Sequence, residues 1–487
     1  MITATDTMVN QGVNNKSLSI SLPFLILLAG LILLHLFCIT NVRLAQLFAI
    51  IEALVVLVFL VQKKVSTAVL LFGIFILTSY DSKFFFAVPV GVEEVFHVAS
   101  LPFGISVYFY LLLSIIVFAF SLHNILRCKL DFNNLLVKFA IFTLIVVTCM
   151  GVFSVISDGF SFIAITRDIK DNVMPSLWVI SFFFLFYTNK NFVYKYERLI
   201  IHVLLAYILV GLITSLTGFL LVRGTRPTIL YLPLASFFFT TIILFSNEVP
   251  NKKDKIIIAI FFAISVYLQL FFDSCLNGKS WLVFISVIAV ELYLFARKSV
   301  ISKISSVLIV ILLFGALSSK IVSYINNTEN GKLLEFISLF EGAQSGNLDD
   351  VDDSAQFRFL EFITISDYYR NHPQFLLLGK GLGGGVPNAG FFVYSETAFS
   401  DDQYNNNSFS VMHESLNVVY LKCGLVGLVF FILVLFDGLK KIKFSPLFYI
   451  GCIWIFFYWA YSISLLFLGL PAFLIAYQKL EYQKKQL

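Results

Sequence analysis

Charge is scarce in this chain. Only 13% of its 487 residues are Asp, Glu, Lys or Arg, about half the share that a soluble domain carries. With 59% hydrophobic residues, that scarcity excludes an ordinary water-soluble fold, whose surface needs far more charge than this chain can supply. Cysteine is sparse as well. Cys38, Cys128, Cys149, Cys275, Cys423 and Cys452 stand singly in or beside apolar stretches, with no CxxC pair, which argues against a disulfide framework or a cysteine metal cluster. Internal repeats and a separate soluble domain are also missing. The first 19 residues are mostly polar, with Lys16 as their one basic residue; the apolar run behind them is too long for a signal peptide, so they read as a short cytoplasmic tail.

What the chain has in abundance is hydrophobic length. Its mean hydropathy is +0.91, and apolar runs long enough to cross a hydrocarbon core of about 30 Å as helix recur between short charged loops. The fold class expected is an all-α polytopic membrane bundle of about 12 to 14 transmembrane helices. The spans fall at residues 20–40, 44–61, 65–80, 103–122, 135–156, 173–188, 199–222 and 227–246. They continue at 256–272, 280–296, 304–319, 414–436, 446–461 and 464–478, the last two being able to form a re-entrant hairpin instead. The 56 phenylalanines read as lipid-facing and packing surface.

Basic residues set the orientation. Lys63 and Lys64, Arg127 and Lys129, Lys252, Lys253 and Lys255, Arg297 and Lys298, Lys440, Lys441 and Lys443, and the terminal Lys484 and Lys485 all fall on one side if the amino terminus is cytoplasmic. This is the positive-inside pattern. Three regions follow: residues 1–319 as amino-terminal membrane helices, 320–412 as a large periplasmic loop with short helices, and 413–487 as carboxy-terminal membrane helices.

The periplasmic loop is where chemistry is concentrated. From Ser354 to about Asn371 it reads as an amphipathic helix with Phe357, Leu360, Phe362 and Ile365 on its apolar side, Asp353 as N-cap and Pro373 ending the run. That helix carries Arg358. A glycine-rich turn, LLLGKGLGGG from Leu376, follows, and His413 opens the next apolar run, with Glu414 behind it and Asn417 one turn further on the same face. A neutral imidazole there is suited to accept a hydroxyl proton; the plain alternative is a packed or helix-capping ring. Outer basic residues run against the orientation signal. Arg223 and Arg226 in LVRGTRP and Lys279 in LNGKSW are therefore candidates, with Arg358, for a cationic clamp on a diphosphate, the alternative being side chains that snorkel to lipid headgroups. Asp349, Asp350, Asp352 and Asp353 read as a solvated acidic loop, with a divalent-metal site as the rival; no metal and no cofactor is expected. Lys422, roughly 13 Å below His413 along a helix, and Glu52, mid-span, are buried charges that read as a structural ion pair or as the lining of a lipid groove.

Three stretches carry a resemblance: LNGKSWLVFISVIAV from Leu276, FRFLEFITISDYYRNHPQFLLLGKGLGGG from Phe357 and HESLNVVYLKCGLVGL from His413. An outer basic residue opening a span, an Arg-led helix, a PxxxxLGxGxGG turn and a histidine beginning a helix with GxxG, here Gly424 and Gly427, together resemble the O-antigen polymerase (Wzy-type) and O-antigen ligase superfamily. The likeness covers roughly the second half of the chain. It implies a membrane glycosyltransferase working on the periplasmic side with neither nucleotide sugar nor metal. By position, Arg358 would bind the diphosphate of an undecaprenyl-linked oligosaccharide and His413 would activate the acceptor hydroxyl. Two departures stand out: Gly278-Lys279 replaces the usual Ser-Arg, so Arg223 or Arg226 is a candidate for the second phosphate contact, and Glu414 replaces the usual Asn, placing a carboxylate where it can orient His413.

The function expected is polymerisation of surface-polysaccharide repeat units at the bacterial inner membrane, with ligation of the glycan to lipid A-core as the alternative and a polysaccharide-lipid flippase as a third reading. The acidic large loop disfavours docking of a phosphorylated core and so favours polymerase over ligase. Transporters tend to have internal repeats, discontinuous helices and short loops, whereas this chain has one large outer loop and no evident repeat. The partners implied are the undecaprenyl-diphosphate-linked oligosaccharide, membrane lipids and a chain-length regulator protein, with no nucleic acid.

Overall fold

The computed structural model describes residues 22–40, 42–77, 105–127, 134–158, 161–188, 353–388, 401–410, 412–442 and 447–459, with a few positions beyond these. The expected spans at 227–246, 280–296 and 304–319 and most of 199–222, 256–272 and 464–478 lie outside the described residues, as do Arg223, Arg226, Lys279, Asp349, Asp350 and Asp352.

The described residues are helical, without a named strand. The amino-terminal helices are α1 (Leu22–Thr40), α2 (Val42–Val61), α3 (Val65–Leu77), α4 (Ile105–Arg127), α5 (Leu135–Asp158), α6 (Phe162–Asp168) and α7 (Met174–Thr188). The later ones are α8 (Asp353–Asn371), α9 (Asp401–Asn405), α10 (Ser415–Lys441) and α11 (Leu447–Tyr458). Leu135–Ser157 within α5 and the whole of α10 are long and apolar enough to cross a membrane. Helix α3, at 13 residues, and α11, at 12, fall short of the roughly 20 that a full crossing needs. The span expected from residue 173 begins one residue later, because a π-helical turn, Ile169–Val173, joins α6 to α7.

Packing is sequential at first and then folds back. Helices α1 to α4 each touch the next, α7 lies against both α4 and α5, and α5 lies against α10, which in turn packs on α8 and α11. Asn134 starts α5 by accepting the amide hydrogens of Leu136 and Val137 at 2.9 and 3.3 Å, the usual service of an asparagine cap. Phe139 of α5 meets Phe430 and Phe431 of α10 and Trp459, just past α11, at centroid distances of 5.5, 5.5 and 5.2 Å. Trp178 of α7 lies 4.2 Å from the ring of Phe72 in α3 and donates its indole hydrogen to Ser114 of α4 at 3.2 Å. That polar contact needs its partner, since an unbonded indole nitrogen in an apolar interior is costly.

Helix α10 is broken. Gly424 adopts φ 64° and ψ −163° within it, so the carbonyls before the break and the amides after it lose their intrahelical partners. The chain leaving α8 replaces them. Lys380 N donates to Leu421 O at 2.8 Å and Gly381 N to Lys422 O at 3.1 Å, while Leu425 N donates to Leu376 O and Val426 N to Leu377 O at 2.8 and 3.1 Å. Tyr369 of α8 adds its hydroxyl to Leu421 O at 2.7 Å and Tyr420 O at 3.2 Å. Such close backbone contact requires glycine on both sides: a Cβ on Gly379, itself at φ 71°, would lie 2.5 Å from Gly424 N, and one on Gly424 would lie 2.5 Å from Gly379 N. The glycines of the PxxxxLGxGxGG turn and of the GxxG helix are thus two halves of one contact.

Burial pushes the Tyr369 hydroxyl well above its ordinary value, so it remains a donor. Tyr369→Phe is expected to cost roughly 1 kcal/mol, because Leu421 O keeps its bond from Lys380 while Tyr420 O loses a hydroxyl donor. A small fall in the thermal midpoint of detergent-solubilised protein is the result that checks it.

Candidate active site

The site is built where α8 crosses the mouth of α10. Burial along α8 runs through Glu361, Thr364, Ile365 and Tyr369, whereas Phe362 is 39% exposed and stacks on Tyr420 at 5.2 Å. The apolar side expected from hydropathy, which included Phe362, is therefore turned: two polar residues, Glu361 and Thr364, lie on the face that packs inward. The hydroxyl of Thr364 returns to Leu360 O at 2.8 Å, as threonines in helices do. Helix α8 begins at Asp353, so this residue lies in the first turn and not at the cap.

Glu361 has a different use for its polarity. Its carboxylate is fully buried and collects three groups from the start of α10. The backbone N–H of His413 donates to its two oxygens at 3.0 and 3.1 Å, Asn417 Nδ2 donates to Oε2 at 2.8 Å, and the ring Nδ1 of His413 lies 2.5 Å from Oε1. Asn417 Nδ2 also reaches Arg358 O at 2.8 Å, fastening α8 to α10 one turn higher. The imidazole is 32% exposed and meets Phe357 edge-on, centroids 6.2 Å apart.

Helix α10 starts at Ser415, so His413 and Glu414 stand just outside it, Glu414 as the N-cap in extended conformation. The Glu414 side chain does not cap. Its Oε1 lies 2.6 Å from Nε of Arg358, an ion pair with the two side chains 18% and 30% exposed. Arg358, His413, Glu414 and Asn417, all singled out in the sequence, thus meet in one cluster. The carboxylate that holds His413 is nevertheless Glu361, and Glu414 attends Arg358 instead. Nothing local marks Glu361 for this part, because its partner is 52 residues away; the signal in the sequence is an acid one turn after Arg358 in the mostly apolar run FRFLEFITI.

A second polar knot supports the first from below. Lys422 is wholly buried; its Nζ lies 2.6 Å from Asp168 Oδ2 and 2.7 Å from Gly384 O, and Gly383 N donates to the same Asp168 oxygen at 2.6 Å. This is the structural ion pair among the readings of Lys422, with a partner in α6. Burial raises the Asp168 carboxyl above its ordinary value, against the pull of Lys422. Glu52 is also buried. Lys380, in the glycine-rich turn, is 1% exposed; its Nζ donates to Tyr368 Oη at 2.9 Å and lies 4.6 and 4.8 Å from the Tyr368 and Phe375 ring centroids, a desolvated cation over aromatic faces. It belongs to the glycine loop's own packing. Among the described residues no group of three or more His, Cys, Asp or Glu side chains is placed to hold a metal ion.

No family model, curated protein or solved structure matches this chain. The geometry therefore stands on its own: a cation already engaged by a carboxylate, beside an imidazole gripped from behind. Such a pair can bind an anionic group at Arg358 and exchange a proton at His413.

Proposed function

We propose that the protein is a multi-pass glycosyltransferase of the bacterial inner membrane, an O-antigen polymerase that joins undecaprenyl-diphosphate-linked oligosaccharide repeat units on the periplasmic side. The observation that carries this reading is the meeting of Arg358 and His413 at the mouth of an apolar helix long enough to cross a membrane. The basic residues on the opposite loops support periplasmic placement of 320–412 with both termini cytoplasmic.

In the transfer, the acceptor hydroxyl oxygen forms a bond to the anomeric carbon of the donor glycan. The bond from that carbon to the diphosphate oxygen breaks and its electron pair leaves with the diphosphate. The hydroxyl proton goes to His413. Arg358 neutralises the departing charge by forked hydrogen bonds, the incoming diphosphate displacing Glu414 as the anion at the guanidinium. Attack opposite the leaving group inverts the anomeric centre. Positioning, charge neutralisation and one proton acceptor suffice for such a reaction, because the leaving group is already stable. Arg223, Arg226 and Lys279 are the proposed further cations for a site that must admit two lipid diphosphates.

Polymerase and ligase share this donor and differ in acceptor, so gene deletion separates them. Lipopolysaccharide from the deletion strain is expected to carry a single repeat unit on its core. Bare core with polymer stranded on undecaprenyl diphosphate would make the protein the ligase, and an unchanged ladder would refute both.

A further inference from the structure

Resting on the reading of His413 as the proton acceptor, we propose that Glu361 is the positioning residue of the transfer: it fixes the neutral His413 ring as the Nδ1–H tautomer, so that Nε2 takes the proton of the acceptor hydroxyl. The argument is one of donors and acceptors. A neutral imidazole protonates one nitrogen and presents a lone pair on the other. Glu361 is fully buried, and among the described residues its other partners are donors: the His413 backbone N–H reaches both oxygens and Asn417 Nδ2 reaches Oε2. A carboxylate held that way is an acceptor on both oxygens, and the ring nitrogen 2.5 Å from Oε1 is left to donate. The lone pair then resides on Nε2.

The grip is bidentate in a second sense, since the same carboxylate binds the backbone and the ring of one residue. Rotation of the His413 side chain about its first torsion would break the ring contact while the backbone contact persisted, so the carboxylate selects one ring orientation as well as one tautomer. Proton transfer also makes the ring cationic, and the buried negative charge behind it stabilises that state. Glu361 touches neither substrate in this scheme; it acts through His413.

The test uses full-length protein labelled with nitrogen-15 histidine in lipid nanodiscs, at a pH of about 8 where an ordinary imidazole is neutral. The His413 signals are identified as those lost in His413→Asn. Protonated Nδ1 with bare Nε2 is expected in the wild type. A protonated Nε2, in a neutral or a charged ring, overturns the proposal whether or not Glu361→Gln folds. Glu361→Gln, which keeps shape and removes charge, is expected to lower kcat by about 10²-fold with KM for the lipid-linked donor within twofold of wild type. Folded Glu361→Gln with wild-type kcat overturns the positioning role while leaving the proposed function intact. Undiminished transfer by His413→Ala, by contrast, sinks the proton-acceptor reading on which both rest.

Discussion

Glycan transfer by the His413→Ala protein is expected to fall about 10² to 10⁴-fold, the usual worth of a positioned general base, which on a gel reads as loss of polymer. Protein level should stay near normal, because the ring is a third exposed and its removal empties no deep core position. Arg358→Ala should give the same loss of product for a different reason. On the proposed reading it removes the cation at the leaving group and frees Glu414, whose carboxylate would then repel a diphosphate. Arg358→Lys should also be poor, since a point charge cannot reproduce a forked contact. Immunoblotting of membranes alongside the glycan gel separates chemistry from folding. Normal polymer in either alanine variant would end the assignment of that residue.

Lys422→Met is expected to destabilise the protein by about 3 to 5 kcal/mol, the cost of leaving one partner of a buried ion pair without the other. Among the described residues, the remaining Asp168 would keep its bond from Gly383 N and the field of Arg167, and the Gly384 carbonyl would lose a donor. Asp168→Asn should cost less than Lys422→Met, because the amide oxygen can still accept from Lys422 or Gly383. Because the pair joins α6, α10 and the glycine loop, the loss should appear as cooperative unfolding of the bundle and not as local fraying. Denaturant titration of purified protein in detergent measures it, with the double variant Asp168→Asn/Lys422→Met as the control. Strict additivity of the two single changes would mean that the side chains do not couple; a double variant more stable than Lys422→Met alone is the expected sign that they do.

The sequence by itself determined the helical, apolar character of the chain. Hydropathic runs are local, and the helices α1, α2, α4, α5 and α10 lie where length and composition put them because backbone hydrogen bonding in an apolar stretch is satisfied within the stretch. Arg358, His413 and Asn417 were legible too, since each sits at a marked place in a short motif. Tertiary structure alone decided the pairings. Glu361 finds His413 across 52 residues and Asp168 finds Lys422 across 254, and no period or propensity along the chain records such partners. It also moved the part that spacing implied for Glu414: that residue, next to the histidine, turns to Arg358, while Glu361, unmarked in the sequence, reaches the ring because α8 packs its polar face inward. The glycine pattern belongs to both levels. Positive φ in a run such as LGKGLGGG is a local demand, but that Gly379 and Gly424 must both lack a Cβ follows only from two backbones touching where one helix breaks and a loop supplies the missing hydrogen bonds.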